Sequence, residues 1–254
     1  MDLSHAALLA GAGLAAGTMN AVAGGGSLIT FPALLAVGLP PIPANVSNSV
    51  AVFPGYVASV AGSRKDLAGQ HRRTAKLLPT AVLGAIAGCA LLLATPARAF
   101  EVVVPFLVLG ATAVLAFQDQ LRKVVGHPAQ LDPRRQFLAL HTMVALGGVY
   151  GGYFGAALGV MFVAGLALVL DESLARVSAV KNVLSAVVGL VTVVVFALFG
   201  PVNWAAVAVV APATMVGGYA GAKLVRRLPS GVLKAIIVTF GTAIGVVLLV
   251  RALT

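Results

Sequence analysis

Long apolar runs constrain this chain more than any other feature of its sequence. Val102–Phe117, Val183–Phe199 and Val232–Val250, taken with their flanks, reach about 18 residues or more, enough for a helix to cross a hydrocarbon core of ~30 Å. A domain surrounded by water would need roughly 25% charged residues to solvate its surface. Here 9% of the 254 residues are charged and 60% are hydrophobic, with a mean hydropathy of +1.04. The fold class that follows is an all-α polytopic membrane protein embedded in a lipid bilayer.

Charge narrows the partners. The formal net charge is +10, from 17 Lys and Arg against 7 Asp and Glu. In a membrane protein, basic residues gather in cytoplasmic loops beside anionic lipid. No aromatic-basic module accompanies the charge, so no nucleic-acid partner is expected. Cys89 is the single cysteine and lies in an apolar run, where it makes neither an intramolecular disulfide nor a metal cage. "AVAG" at Ala21–Gly24 imitates a signal-peptidase site, but no Lys or Arg precedes the apolar stretch, so the segment reads as part of the mature protein.

The chain divides into two similar halves. Residues 1–117 form a first membrane repeat, 118–136 a basic linker, and 137–254 a second repeat. Each half opens with an apolar segment interrupted by glycines: "AGTMNAVAGGGSLITFPALLAVG" breaks at Gly24, Gly25 and Gly26, and "GGVYGGYFGAALGVMFVAGLALVL" breaks around Gly151, Gly152 and Gly155. "ANVSNSVAVF" from Ala44 and "ARVSAVKNVL" from Ala175 then follow in register, pairing Ser47 with Ser178. Three helices complete each half. Duplication with helices interrupted in matching places is characteristic of transporter folds.

Charge also orients the halves. If each interrupted segment enters and returns on one side, the loops Arg64–Lys76, Gln118–Arg135 and Lys223–Lys234 all face the cytoplasm, with 13 of the 17 Lys and Arg. If each crosses fully, the third basic loop faces outside. The positive-inside rule favours re-entrant hairpins and inverted repeats. Arm length agrees, since Ser27–Val37 spans ~16 Å as helix and reaches only about the midplane.

Non-helical backbone at membrane depth must be buried in protein or line a wet cavity. After Gly24–Gly26, Ser27 begins a helix whose free N–H groups face the break, and the arm after Gly155 does the same from the opposite side. Each helix N-terminus carries about half a positive charge, so two converging near the midplane favour an anion. Glycines can instead serve close helix packing, the reading given to Gly84 with Gly88 and Gly217 with Gly221. The candidate substrate-binding residues are Asn20, Gly24, Gly25, Gly26, Ser27, Ser47, Asn48, Gly152, Tyr153, Gly155, Lys181 and Asn182. Lys181 is an intramembrane cation, by default a site residue, though its α-carbon lies only about 7–8 Å deep by helical rise and its side chain can snorkel to the surface. Arg98 and Glu101 read as an exposed ion pair, and His141 as interfacial. No carboxylate pair, Ser/His pair or metal-ligand cluster falls in the apolar segments, so the sequence points to no enzyme and no cofactor.

At "NAVAGGGSLITFPALLAVGLPPIPANVSNSVAVFPG" (Asn20–Gly55) the sequence resembles the TauE/SafE family of sulfite and organosulfonate exporters, also called the 4-toluene sulfonate uptake permease family. "ARVSAVKNVLS" (Ala175–Ser185) resembles that family's second repeat. "GYFGAALG" (Gly152–Gly159) departs from it, standing where many members repeat the triple glycine. The resemblance implies transport of sulfite, sulfoacetate, taurine-related or other sulfur-containing anions across a bacterial inner membrane, in either direction. A non-transporting scaffold and an anion channel are the alternatives the residues leave open.

Overall fold

The computed structural model describes residues 2–22, 25–117, 120, 132–224 and 230–253, and among these it contains helices and no strand. The first half holds α1 (Leu3–Val22), α2 (Ser27–Ala36), α3 (Pro41–Gly62), α4 (His71–Ala94) and α5 (Ala97–Ala116). The second holds α6 (Pro133–Tyr153), α7 (Leu158–Val169), α8 (Leu174–Phe199), α9 (Trp204–Leu224) and α10 (Ser230–Leu253). Starts at 3, 27, 41, 71 and 97 thus recur at 133, 158, 174, 204 and 230, a nearly constant offset. Local chemistry sets the boundaries. Pro41 and Pro133 occupy first-turn positions, where a missing N–H costs nothing. Asp132 caps α6 by accepting from the Arg134 and Arg135 N–H groups at 2.9 and 3.0 Å. Gly38, at φ 89°, ends α2 in the left-handed region.

Helices α4, α5 and α8 are each long and apolar enough to cross a membrane. Large apolar side chains such as Leu83, Phe106, Leu146 and Leu198 face outward, as a lipid-facing surface requires. By contrast, α2 and α7 have 10 and 12 residues, or ~15 and ~18 Å, about half a bilayer core. Both fold back along the helix before them. Val37 and Leu39, just past α2, share a cleft with His5 and Leu9 at the start of α1. Gln136 at the start of α6 donates from Nε2 to the Val169 carbonyl at the end of α7 (3.1 Å).

The bases of these two hairpins lie at opposite ends of α3. The first base shares its cleft with Asn203, whose N–H donates to Ser47 Oγ (2.8 Å) near the start of α3. The second base leads into α8, whose Asn182 donates to Ser63 Oγ (3.0 Å) and to the Ser59 carbonyl (3.3 Å) near the end of α3. Helix pairing is reciprocal between the halves: α1 packs on α9 as α6 packs on α4, while α3 lies on α8 and α5 on α10. Without a hydrophobic force between helices in lipid, such pairs rely on close backbone approach. A Cβ added at Gly88 would stand 2.1 Å from the Val149 carbonyl, and one at Gly217 would stand 2.1 Å from the Leu14 carbonyl. Both glycines are packing residues, as is Gly84, facing Ala145 and Gly148; the surroundings of Gly221 lie outside the described residues.

Most of the described cations cluster at one end. Arg73 and Arg176 grip Glu172 at 2.9 and 2.6 Å, tying the start of α4 to the link between α7 and α8. These hydrogen bonds, that from Arg176 foremost, hold the Glu172 carboxyl below its ordinary value. Arg98 and Glu101 stand at the other end, both exposed, and do not form the ion pair expected of them. An exposed pair gains at most about 1 kcal/mol in water, which does not hold two long side chains in place.

Candidate functional site

The two breaks meet. A cavity between α2, α3, α7 and α8 is lined by Ser27 from the first break, by Gly151, Phe154, Gly155 and Leu158 from the second, and by side chains from the middle of α3 and α8. Ser27 and Leu158 are the first residues of α2 and α7, so two helix N-termini abut one space. The polar lining consists of Ser27, Ser49, Tyr56 and Thr192, all neutral. The volume is only about 20 Å³, room for about one water. Two of its hydroxyls are satisfied within their own helices. Ser49 donates to the Asn45 carbonyl (3.0 Å) and Thr192 to the Gly189 carbonyl (2.8 Å). This is a closed site, and anything larger than water enters only when the surrounding helices part.

Each break is clasped by a different device. In the first, Asn20 Oδ1 accepts from the Gly26 N–H (2.9 Å), while its Nδ2, on a side chain 4% exposed, has no partner among the described residues. An unpartnered buried amide donor costs about 1–3 kcal/mol, and it lies beside Gly26, at the tip of the hairpin. In the second, Phe154 and Gly155 N–H both reach the Tyr150 carbonyl (2.8 and 3.0 Å), with Gly155 at φ 72°. The Tyr150 hydroxyl donates to the Ala156 carbonyl (2.6 Å). Ala157 is held at φ 56°, a left-handed conformation that costs a side-chain-bearing residue about 1–2 kcal/mol.

Of the residues singled out from sequence, Ser27 and Gly155 line the cavity. Asn20, Gly25 and Gly26 form the break beside it. The absent side chain of Gly25 faces Leu115 and Met19, and that of Gly26 faces the Ala16 carbonyl and Asn20; Gly24 lies outside the described residues. Asn48 is buried one step away and accepts from the Thr30 hydroxyl. Ser47 is fully buried and committed to the Asn203 N–H. Gly152 faces α4, where a Cβ would meet the Ala85 carbonyl at 2.2 Å. The Tyr153 ring packs on Phe100 at 5.8 Å while its carbonyl accepts from Asn45 (2.9 Å). Lys181 is buried but not part of the lining, and Asn182 is bonded to the end of α3.

Sequence reasoning missed Tyr56, Tyr150 and Thr192. The signal was there: Ser49, Val52 and Tyr56 recur at helical spacing on one face of α3, and Val188, Gly189 and Thr192 do so on α8. Nothing in the sequence said which face of either helix would meet the breaks. His141 bonds through Nδ1 with the Thr80 hydroxyl (2.7 Å) and stacks near Phe137 (4.1 Å).

The chain is 26% identical over 238 residues to the probable membrane transporter protein ORF9 of Sinorhizobium sp., covering 92% of this chain and 88% of that one. It is 26% identical to a probable membrane transporter protein of Haemophilus influenzae, covering 91% and 89%. It is 27% identical to the probable membrane transporter protein YfcA of Escherichia coli K12, covering 84% and 76%. No solved structure matches. The family model described as "Sulfite exporter TauE/SafE" matches residues 9–248, nearly the whole length, and the chain therefore belongs to this family of multi-pass membrane transporters.

Proposed function

We propose that the protein is a secondary transporter of a small monoanion, of the sulfur oxyanion or sulfonate class, working by alternating access at the cavity between the two hairpin tips. The observation that carries this reading is the meeting of two helix N-termini, Ser27 and Leu158, at one neutral, hydroxyl-lined space. Two such ends supply together about one positive charge, which balances a monoanion and leaves a dianion with a charge buried and uncompensated. Among the described residues no carboxylate lines the cavity to oppose an anion. The unpartnered Asn20 Nδ2 beside the first tip is a further donor. Sulfite in its singly protonated form and monosulfonates fit this chemistry, and the family's description points the same way.

The proposal includes the membrane setting. The halves 1–117 and 137–254 are inverted repeats joined by the basic linker 118–136, each a re-entrant hairpin followed by three spanning helices. The recurring helix starts and the reciprocal packing support this. The cationic end faces the cytoplasm of a bacterial inner membrane. Alternating access then consists of one hairpin parting from α3 and α8 while the other stays closed.

The test is flux in proteoliposomes loaded with labelled sulfite, measured for saturation and for counterflow at pH values that vary the singly protonated fraction. Saturable counterflow that tracks the monoanion, and that weakens about tenfold in Ser27→Ala, supports a carrier at this site. Flux that never saturates would identify a pore, and binding or flux that favours dianions would refute the charge balance.

A further inference from the structure

A second site lies at the cationic end, outside the transport cavity. Between the starts of α4 and α6 runs a groove of about 220 Å³, lined by Arg72, Arg73, Lys76 and Leu77 on one side and Phe137, Leu140 and His141 on the other. The cations are not equivalent. Arg73 is committed to Glu172 and Gln70, and His141 to Thr80. Arg72 and Lys76, one helical turn apart and exposed, take part in no ion pair among the described residues. They stand over a floor that is almost wholly apolar. Phe137 also lines an adjoining cleft with Leu138 and Arg134, and Phe137 and Leu138 are 55% and 63% exposed. The apolar surface therefore continues outward from the charged rim.

A ligand for this groove must be anionic at one end and apolar along its length. A soluble anion would leave Phe137 and Leu138 uncovered, and a neutral lipid would leave Arg72 and Lys76 uncompensated. We propose that the groove holds one anionic phospholipid, its phosphate between Arg72 and Lys76 and an acyl chain over Phe137 and Leu138. Level and chemistry agree, because the groove sits at the helix ends where headgroups lie and where basic residues attract anionic lipid. The bound lipid bridges α4 and α6, the pair whose own contact rests on the small residues Gly84, Gly88, Gly148 and Gly152. It therefore stabilises the second hairpin against the first half. This inference rests on the membrane architecture alone and not on the identity of the transported anion.

The experiment uses the full-length protein, delipidated in detergent and then titrated with phosphatidylglycerol, phosphatidylcholine or inorganic phosphate. Retained lipid is counted by native mass spectrometry, and melting temperature is followed in parallel. Phosphatidylglycerol is expected to be retained and to raise the melting temperature, and the other two are not. The double variant Arg72→Gln/Lys76→Gln should weaken retention on the order of tenfold, and Phe137→Ala should weaken it with the charges intact. Arg64→Gln/Lys65→Gln removes equal charge elsewhere on the same end and should bind as the parent does. Equal retention of the two lipids, or equal losses in the two double variants, would reduce the effect to diffuse surface attraction and overturn the site. A shift reproduced by inorganic phosphate alone would reassign the groove to a free anion and overturn the lipid.

Discussion

Replacing Gly26 with alanine tests whether the first break is built as described, because its neighbour Gly25 is an internal control. A Cβ at Gly26 would stand 2.3 Å from the Ala16 carbonyl and 2.8 Å from the Asn20 amide, whereas one at Gly25 would meet Leu115 at 3.5 Å. The first is a collision with backbone, relieved only if α1 shifts or Asn20 swings away. Either movement breaks the hydrogen bond from the Gly26 N–H to Asn20 Oδ1, leaving a buried N–H unmet at about 1–3 kcal/mol. Forcing a methyl into a filled space adds about 1–3 kcal/mol. The sum, about 2–6 kcal/mol, corresponds to a melting temperature lower by roughly 5–20 °C for a chain of this size. Gly25→Ala makes an ordinary contact and should stay within about 1 kcal/mol of the parent. Thermal melts of purified protein in one detergent, with flux measured on the surviving fraction, give both readouts. Gly26→Ala should lose flux as well as stability, because Asn20 stands at the hairpin tip. If Gly26→Ala melts and transports like Gly25→Ala, the Asn20 clasp has no energetic role and the steric reasoning is wrong.

Three further outcomes follow from particular residues. Ala157→Gly relieves the left-handed strain at φ 56° and should raise the melting temperature by an amount worth about 1 kcal/mol; a lower value would mean that the Ala157 methyl contributes more by packing than its conformation costs. Glu172, held below its ordinary carboxylate value of 4.5 by Arg176 and Arg73, contributes stability that is present above pH 4.5 and lost as pH falls through its depressed native value. Glu172→Gln should therefore melt a few degrees lower at pH 7, and the gap should narrow in acid; a gap independent of pH would remove the ion cluster from the account. Lys181 does not line the cavity, so Lys181→Gln should leave anion affinity within about threefold of the parent. A tenfold loss by calorimetry would place its ammonium at the substrate after all.

The all-helical membrane class and the location of both helix breaks were legible in the sequence. They depend on properties that neighbouring residues express together. Apolar length decides membrane residence, and glycine runs decide where helix cannot continue. The ten-residue α2 follows from "GGGS" before it and Gly38 after it. What the sequence could not determine is which side of each helix faces the breaks. Tyr56 and Thr192 are separated from Ser27 by long stretches of chain, and only the packing of α3 on α8 brings them to one cavity. The same holds for glycines that look alike in sequence. Gly152 and Gly155 are three residues apart, yet one faces the Ala85 carbonyl and the other lines the site. A helix turns about 100° per residue, so composition and spacing fix its length and depth, while its rotation is settled only by the neighbours it packs against.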